Sequence, residues 1–228
     1  MRNPAFCLPR RNHTLSRGWP LRLFPLLIPL YATLGFLRGQ LGDTTQYFPQ
    51  YATGPNSTTS FTIHNPSNED VAVKIEIYRS DGSPVSFQEV TLPSGATQTV
   101  RPQAAGLNLS GWAKLSSTAR FSATELFRFT DSSGNLLTQA GVLSSVLADQ
   151  FRLFAFTNPQ SGIATGIAVA NVSSTKDALM TVNLLSGRGE LLATRQVLLR
   201  PLEHLARFLH EDPYFPELDS FEGAIVVK

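Results

Sequence analysis

The sequence predicts an all-β protein built from two tandem β-sandwich domains that follow an N-terminal signal segment. Three observations predict this fold: apolar residues that alternate with polar ones, three hairpin turns with glycine at the turn, and an internal repeat whose members lie 106 or 107 residues apart. The chain has 228 residues, of which 42% are apolar and 16% charged, so it carries enough apolar side chain for a packed core.

The alternation is clearest in residues 71–78. Val71, Val73, Ile75 and Ile77 fall on one face. Lys74 and Glu76 fall on the other face, because successive side chains of a strand point to opposite sides of the sheet. The run therefore predicts a half-buried β-strand.

Each predicted hairpin has a glycine where a tight turn needs a positive φ angle. The first turn contains Asp81-Gly82, the second runs from Asp131 to Gly134-Asn135, and the third contains Gly187 and Gly189. Strand-like runs flank all three turns, which is the pattern of antiparallel hairpins.

The internal repeat pairs strand-like segments of the two halves. The matches at an offset of 106 or 107 residues are Phe61–Asn65 with Ile167–Asn171, Val73–Ile77 with Met180–Leu184, and Val90–Leu92 with Val197–Leu199. Further on, Gly111–Leu115 matches Gly223–Val227 after a longer insertion that carries His204 to Phe215. A repeat of this length with a turn every 8–12 positions is typical of tandem immunoglobulin-like sandwiches. We predict a first sandwich over residues 46–148 and a second over 149–228, with a short helical turn within Leu202–Leu209.

The two copies are unequal. In the first, residues 111–115 are followed by strand-like residues 121–129, a turn and residues 136–147. In the second, the sequence stops directly after the matching strand. We expect either a fragment of a longer chain or a second sandwich without its closing hairpin, whose open edge would accept a strand from a neighbour.

Residues 1–40 predict a signal peptide. They contain six arginines and no acid, and the apolar run from Leu23 to Leu37 has the length of a signal-peptide core. Pro25 and Pro29 disfavour a spanning helix, so we expect cleavage near Gly35 or Gly39, with an uncleaved N-terminal anchor or a misassigned start codon as alternatives. The expected location is extracellular or on the cell surface, with the periplasm as an alternative.

Charge and cysteine content argue against a nucleic-acid partner and against cysteine-based sites. Without the six leader arginines, thirteen basic residues face seventeen acidic ones, a net of −4 with no basic cluster, so no nucleic-acid partner is expected. Cys7 lies in the leader, so the mature chain would lack disulfides and cysteine-based sites. The membrane would be contacted only through an uncleaved N-terminal segment.

A resemblance supports this view. The stretch Tyr47-Phe-Pro-Gln-Tyr51-Ala-Thr-Gly54, with Asn65-Pro66, Asp81-Gly82 and Gly111-Trp112-Ala113, resembles a poorly characterised secreted bacterial repeat of tandem immunoglobulin-like β-sandwich domains. The resemblance covers residues 46–228. It implies an extracellular or cell-surface module, and it carries no assigned catalytic residues.

The sequence offers few candidates for chemistry. His204, His210 and Glu211 are the best polar cluster and would serve a metal-dependent hydrolase, but the spacing of residues 203–212 fits a polar loop better. Trp112 and Tyr51 are candidates for stacking against a sugar. We therefore predict a non-enzymatic structural or adhesion module without metal or cofactor. Its partner would be a protein or a cell-envelope polysaccharide, and a carbohydrate-binding module is the main alternative.

Overall fold

The computed structural model describes residues 43–102 and 108–228, and the predicted signal segment lies outside these residues. The fold is all-β, as predicted. The strands are β1 Asp43–Thr53, β2 Ser57–His64, β3 Val71–Arg79, β4 Pro84–Leu92, β5 Thr97–Val100, β6 Leu109–Thr130, β7 Leu136–Leu143, β8 Phe151–Thr157, β9 Gly166–Ala170, β10 Ala178–Ser186, β11 Leu191–Leu199, β12 His204–Phe208 and β13 Phe221–Val227, with a 3-10 helix at Pro159–Ser161. Within the described ranges, no helix has the length and apolar character needed to cross a membrane.

Strands β1–β7, here called the first half, form two antiparallel sheets that share β6. The sheet orders are β4-β3-β6-β1 and β5-β2-β6-β7. Residues 111–117 of β6 pair with β3, and residues 122–129 pair with β2. The sequence predicts two strands here, whereas the chain runs through both sheets as one strand of 22 residues. Residues 116–120, which lie between the two predicted strands, have the sequence Ser-Ser-Thr-Ala-Arg and include no glycine or proline that would end a strand.

The side chain of Gln46 bridges β1 to β6 where β6 passes from one sheet to the other. Its Nε2 donates to the Phe121 carbonyl at 2.7 Å, and its Oε1 accepts from the Ala123 N–H at 3.1 Å. Gln46 is only 5% exposed. Buried backbone groups need partners, so this side chain replaces strand pairing at the bend.

The core of the first half confirms the alternation read from the sequence. Val71, Val73, Ile75 and Ile77 are all buried. Residues from β1, β2 and β6 pack on the same cluster, among them Phe48, Phe61 and Phe121. Each buried side chain of this size contributes about 1.5–3 kcal/mol relative to an exposed one.

Strands β8–β13, here called the second half, form a sheet of order β11-β10-β13-β8 and a two-stranded sheet of β12 and β9. The helical turn expected within Leu202–Leu209 is wrong. Residues 204–208 form β12, because their backbone pairs with β9 from Ala170 to Gly166. Pairing with a neighbouring strand decides the conformation of this short segment.

One asparagine in each half makes the same contacts. Asn65, directly after β2, donates from Nδ2 to the carbonyls of Glu69, Leu92 and Pro93. Asn171, directly after β9, donates from Nδ2 to the carbonyls of Lys176, Leu199 and Arg200. Both Oδ1 atoms accept the N–H of the serine two residues later. Each asparagine therefore ties a loop to the end of the neighbouring hairpin.

The three predicted hairpins form as β3–β4, β6–β7 and β10–β11. Gly82 and Gly189 occupy the same place in the first and third turns, each with a φ of 84°. L-residues with a side chain disfavour this region, which explains the glycine at each turn.

The first turn packs against the second half. The Trp112 Nε1–H donates to the Leu202 carbonyl at 2.8 Å, and the His204 N–H donates to the Ser80 carbonyl at 3.0 Å. The Trp112 ring stacks on Tyr78 with centroids 4.5 Å apart. Leu202 has a left-handed φ of 61°, which costs a non-glycine residue about 1–2 kcal/mol. These contacts tie the two halves together and help to offset that cost.

Substituting the two turn glycines by alanine separates turn strain from this contact. A Cβ on Gly82 would lie 2.8 Å from the Pro201 carbonyl oxygen, while a Cβ on Gly189 would meet open space. We expect the free energy of unfolding of both variants to fall by about 1 kcal/mol, because alanine disfavours the positive φ. Gly82→Ala should lose about 1 kcal/mol more, because its Cβ is overpacked against the Pro201 carbonyl. Urea unfolding of both variants measures the difference, and equal losses would contradict the contact.

Candidate functional site

A groove of about 700 Å³ lies beside β9 in the second half. Residues of β8, β9, β10 and β13 line it. Its aliphatic lining includes Leu153, Ile167, Val169, Met180 and Val227. Tyr47, Pro49 and Trp112 of the first half close one end.

The wall formed by β9 is the free edge of a sheet. β9 pairs with β12 on one side, and no residue within 43–102 or 108–228 pairs with it on the other. The Asn171 N–H donates to Glu203, which sets the alternation of the hydrogen bonds along this pair. Ile167 and Val169 therefore direct their backbone groups to β12, and Gly166, Ala168 and Ala170 direct theirs to the groove.

The equivalent edge in the first half is covered. β2 pairs with β5 on one side and with residues 122–129 of β6 on the other. Ile63 of β2 is consequently 0% exposed. Val169, which matches Ile63 in the repeat, is only partly buried. The difference reflects the second strand neighbour that β2 has and that β9 does not have in the described residues.

Exposed apolar residues stand around the groove. Val146, Leu147, Leu153 and Leu179 all line it, with exposures between 45% and 70%. Clusters of exposed apolar side chains of this kind mark contact surfaces in soluble proteins. The groove therefore combines a free backbone edge with an apolar rim.

The structure buries both candidates for sugar stacking. Trp112 and Tyr51 are each 1% exposed. Trp112 lies between Tyr78 and Leu202, and Tyr51 packs on Phe61 with centroids 6.3 Å apart. Both rings are therefore packed against other residues of the chain.

The histidines of the polar segment 203–212 do not converge on a metal site. His204 is 4% exposed, and its Nδ1 lies 3.2 Å from the Ser80 Oγ. Burial lowers the pKa of His204 to about 4, although the nearby Pro49 carbonyl favours the charged form. His210 stacks on Phe208 with centroids 5.7 Å apart. No set of three metal-ligating side chains occurs in the described ranges.

The acids of the same segment cap their own turns. Glu203 accepts the Arg200 N–H at 2.6 Å, and Glu211 accepts the Phe208 N–H at 2.9 Å. A carboxylate that is held by local backbone donors is a structural group. The two glutamates of this segment therefore already have structural contacts.

Sequence analysis missed Glu125. It belongs to the inward series Phe121, Ala123, Glu125, Phe127 of β6, and its side chain is 0% exposed. Neither carboxyl oxygen has a hydrogen-bond partner, and burial raises the pKa of Glu125 to about 9. The alternation of β6 was the signal, since it places one acid among apolar residues on the inner face.

The backbone edge was also only partly visible in the sequence. The unequal repeat predicts either a fragment or an open edge in the second sandwich, and it does not show which strand would be open. The uncharged sequence Gly-Ile-Ala-Val-Ala of β9 contains no side chain that marks a binding site.

Comparisons with known proteins add little. No protein-family model matches the chain. No curated protein matches it. Among solved structures, it is similar to Thermotoga maritima 1070, with a TM-score of 0.40 and 15% identity, covering 46% of this chain and 96% of the other. It is also similar to the Anabaena sensory rhodopsin transducer, with a TM-score of 0.34 and 24% identity, covering 37% of this chain and 95% of the other. Both similarities are too weak to bear on the function of this chain.

The buried acid makes stability depend on pH. The folded-state pKa of Glu125 lies near 9, above its ordinary value of 4.5, so the folded state binds the proton more tightly than the unfolded state. The stabilisation that results from this tighter proton binding is complete below pH 4.5. It is lost as the pH rises towards 9, and the free energy of unfolding falls by at most about 1.4 kcal/mol per pH unit. We expect Glu125→Gln to flatten this decline between pH 6 and 9.

Urea unfolding of both proteins at pH 6, 7, 8 and 9 checks the expectation. The amide is similar in size and does not titrate, so it is a matched replacement. Parallel losses of unfolding free energy in the two proteins would show that Glu125 does not cause the decline.

Proposed function

We propose that this chain is a secreted or surface-exposed, non-enzymatic structural or adhesion module made of β-sandwich repeats. One observation supports the proposal: the groove beside β9 is lined by aliphatic side chains, and β9 has a strand neighbour on one side only in the described residues. A catalytic pocket brings a few polar side chains together, whereas a surface for another macromolecule offers apolar area and backbone groups.

The repeated asparagine contacts support the repeat within this proposal. Asn65 and Asn171 hold their loops through the same set of backbone carbonyls, at positions 106 residues apart. Two copies of one sandwich, each with loops at its ends, suit a spacer that presents contact surfaces away from its attachment point.

The junction between the halves supports a mechanical role. Hydrogen bonds from Trp112 to Leu202 and from His204 to Ser80 join the two halves directly. Large polar side chains that could have served chemistry are thus used in packing. A spacer that transmits force benefits from such a junction, because it removes a flexible hinge.

The proposed partner is a protein or a cell-envelope polysaccharide, and the proposed location is outside the cytoplasm. The six arginines and the apolar run of residues 1–40 support export, with the membrane contacted only if that segment stays attached. The acidic balance of residues 41–228 supports a partner other than nucleic acid.

A deletion in the producing cells tests the function. A strain that makes only residues 1–45 is compared with one that makes the full chain. We expect weaker attachment to surfaces or neighbouring cells and unchanged hydrolytic activities in the medium, because the deleted residues carry the contact surface.

Two measurements keep the outcome clear. Fractionation shows whether the full chain reaches the cell surface or the medium, and recovery of the chain from the cytoplasm alone would contradict export. Normal attachment together with the loss of a hydrolytic activity would contradict a non-enzymatic module.

A further inference from the structure

We propose that His204 makes the contact between the two halves sensitive to acid: a second proton on its ring opens this contact while each half stays folded. The inference goes beyond the proposed function and does not depend on it, because it concerns only how the two halves of one chain hold together. Protonation of histidine is a common means by which proteins respond to moderate acid.

The His204 ring lies where the second half meets the first. His204 is 4% exposed and begins β12. Its own N–H donates to the Ser80 carbonyl of the first half at 3.0 Å. Nearby in the chain, the Leu202 carbonyl accepts the Trp112 Nε1–H at 2.8 Å. These two hydrogen bonds join the halves, so a change at the ring acts directly on the junction.

The hydrogen bonds around the ring assign its single proton to Nδ1. The Ser80 hydroxyl donates to the Ser110 carbonyl at 3.0 Å, so its oxygen is left to accept. The His204 Nδ1 lies 3.2 Å from that oxygen and is therefore the donor. Nε2 then carries no proton, and it has no hydrogen-bond partner among the described residues. Acid adds the second proton at Nε2.

A proton on Nε2 places a charge in a buried position. Burial lowers the pKa of His204 from 6.5 to about 4, and the Pro49 carbonyl of β1 offsets only part of this effect. Arg207 of the same strand also opposes the charge. The side chains of Pro49 and Trp112, from β1 and β6, carry no charge that would compensate it. The charged ring is therefore more stable in water than in the closed junction.

The acidic side chains on either side of the junction are held by their own loops. Asp81 of the first turn accepts both the hydroxyl and the N–H of Ser83. These bonds, with a smaller effect of Arg79, keep the pKa of Asp81 below its ordinary value of 3.8. Glu203 accepts the Arg200 N–H at 2.6 Å. Both carboxylates thus have partners other than the His204 ring.

The closed junction consequently weakens as the pH falls. His204 binds its second proton less tightly in the closed junction than in water, so the stabilisation of the closed state is complete above pH 6.5 and is lost as the pH falls towards 4. Linkage between these two pKa values gives about a twentyfold fall in the ratio of closed to open molecules between pH 7 and pH 5.

The segment that connects the halves has the character of a hinge. Ser145 is still tied to the first half, because its N–H donates to the Tyr47 carbonyl at 2.8 Å. Residues 146–150, between that bond and β8, pair with no strand in the described structure. Short loop segments of this kind absorb the changes in φ and ψ that accompany hinge motion. The two halves thus form a rigid pair at neutral pH and a hinged pair in acid.

Hydrogen exchange of the full-length protein, followed by NMR from pH 7 to pH 4, tests the proposal. The reporters are the His204 N–H and the Trp112 Nε1–H, because both hydrogen bonds cross the junction. The references are the amides of Ile75 and Ile225, which lie in central strands of the two halves. Each protection factor compares the observed rate with the intrinsic rate at the same pH, which removes the ordinary pH dependence of exchange.

We expect the protection factors of the two reporters to fall about twentyfold between pH 7 and pH 5. At pH 5 both references should remain more strongly protected than the reporters, because each half stays folded.

A matched pair of histidine variants assigns the effect. His204→Asn keeps an N–H donor near the position of Nδ1 and does not titrate, so its reporters should have the same protection at pH 7 and pH 5. His64→Asn is the control, because the His64 Nδ1 also lies beside a hydroxyl, that of Thr97 at 3.0 Å, in a half-exposed place between β2 and β5. This control should keep the full fall in protection.

Three results would overturn the proposal. They are equal reporter protection at pH 7 and pH 5 in the unmodified protein, the same fall in His204→Asn, or equal protection of reporters and references at pH 5. If His204→Asn opens the junction already at pH 7, NMR titration of the His204 ring in the unmodified protein decides. A pKa below the ordinary 6.5 supports the proposal, and a pKa at or above it overturns the proposal.

Discussion

The strand β6 determines the architecture, because it is long enough to belong to both sheets of the first half. Its first part pairs with β3 and β1, and its last part pairs with β2 and β7. Pairing of both parts closes the sandwich without further loops. β13 matches only the first part of this path, so in the described residues the small sheet of the second half has β9 as a free edge. The closed half and the open half follow from this one difference.

Contact between the halves explains the roles of several polar and aromatic residues. Trp112 and His204 are the residues that a search for ligand sites would choose first, and both are buried at the junction. The Trp112 Nε1–H donates to the Leu202 carbonyl, and the His204 Nδ1 lies within hydrogen-bond distance of the Ser80 Oγ. The free backbone of β9 is consequently the stronger candidate for recognition, although no reactive side chain marks it.

The sequence predicted the all-β fold and the hairpins because period-two alternation and turn glycines are local signals. It could not predict that β6 is continuous, since strand pairing on both sides decides whether residues 116–120 remain extended. It also could not predict the burial of Trp112, because that depends on the approach of Leu202, 90 residues away in the chain. The unequal repeat predicted either a fragment or an open edge, and in the described residues β9 has a strand neighbour on one side only.

Amide hydrogen exchange tests the central claim, the open edge of β9, most directly. Ala168 and Thr62 occupy matching places in the repeat, and the N–H of Thr62 faces β6. Both amides can be followed in one NMR sample of the purified protein. The account requires fast exchange at Ala168 and protection at Thr62, because only Thr62 has a strand partner. Equal protection of the two amides in a monomeric sample would contradict it.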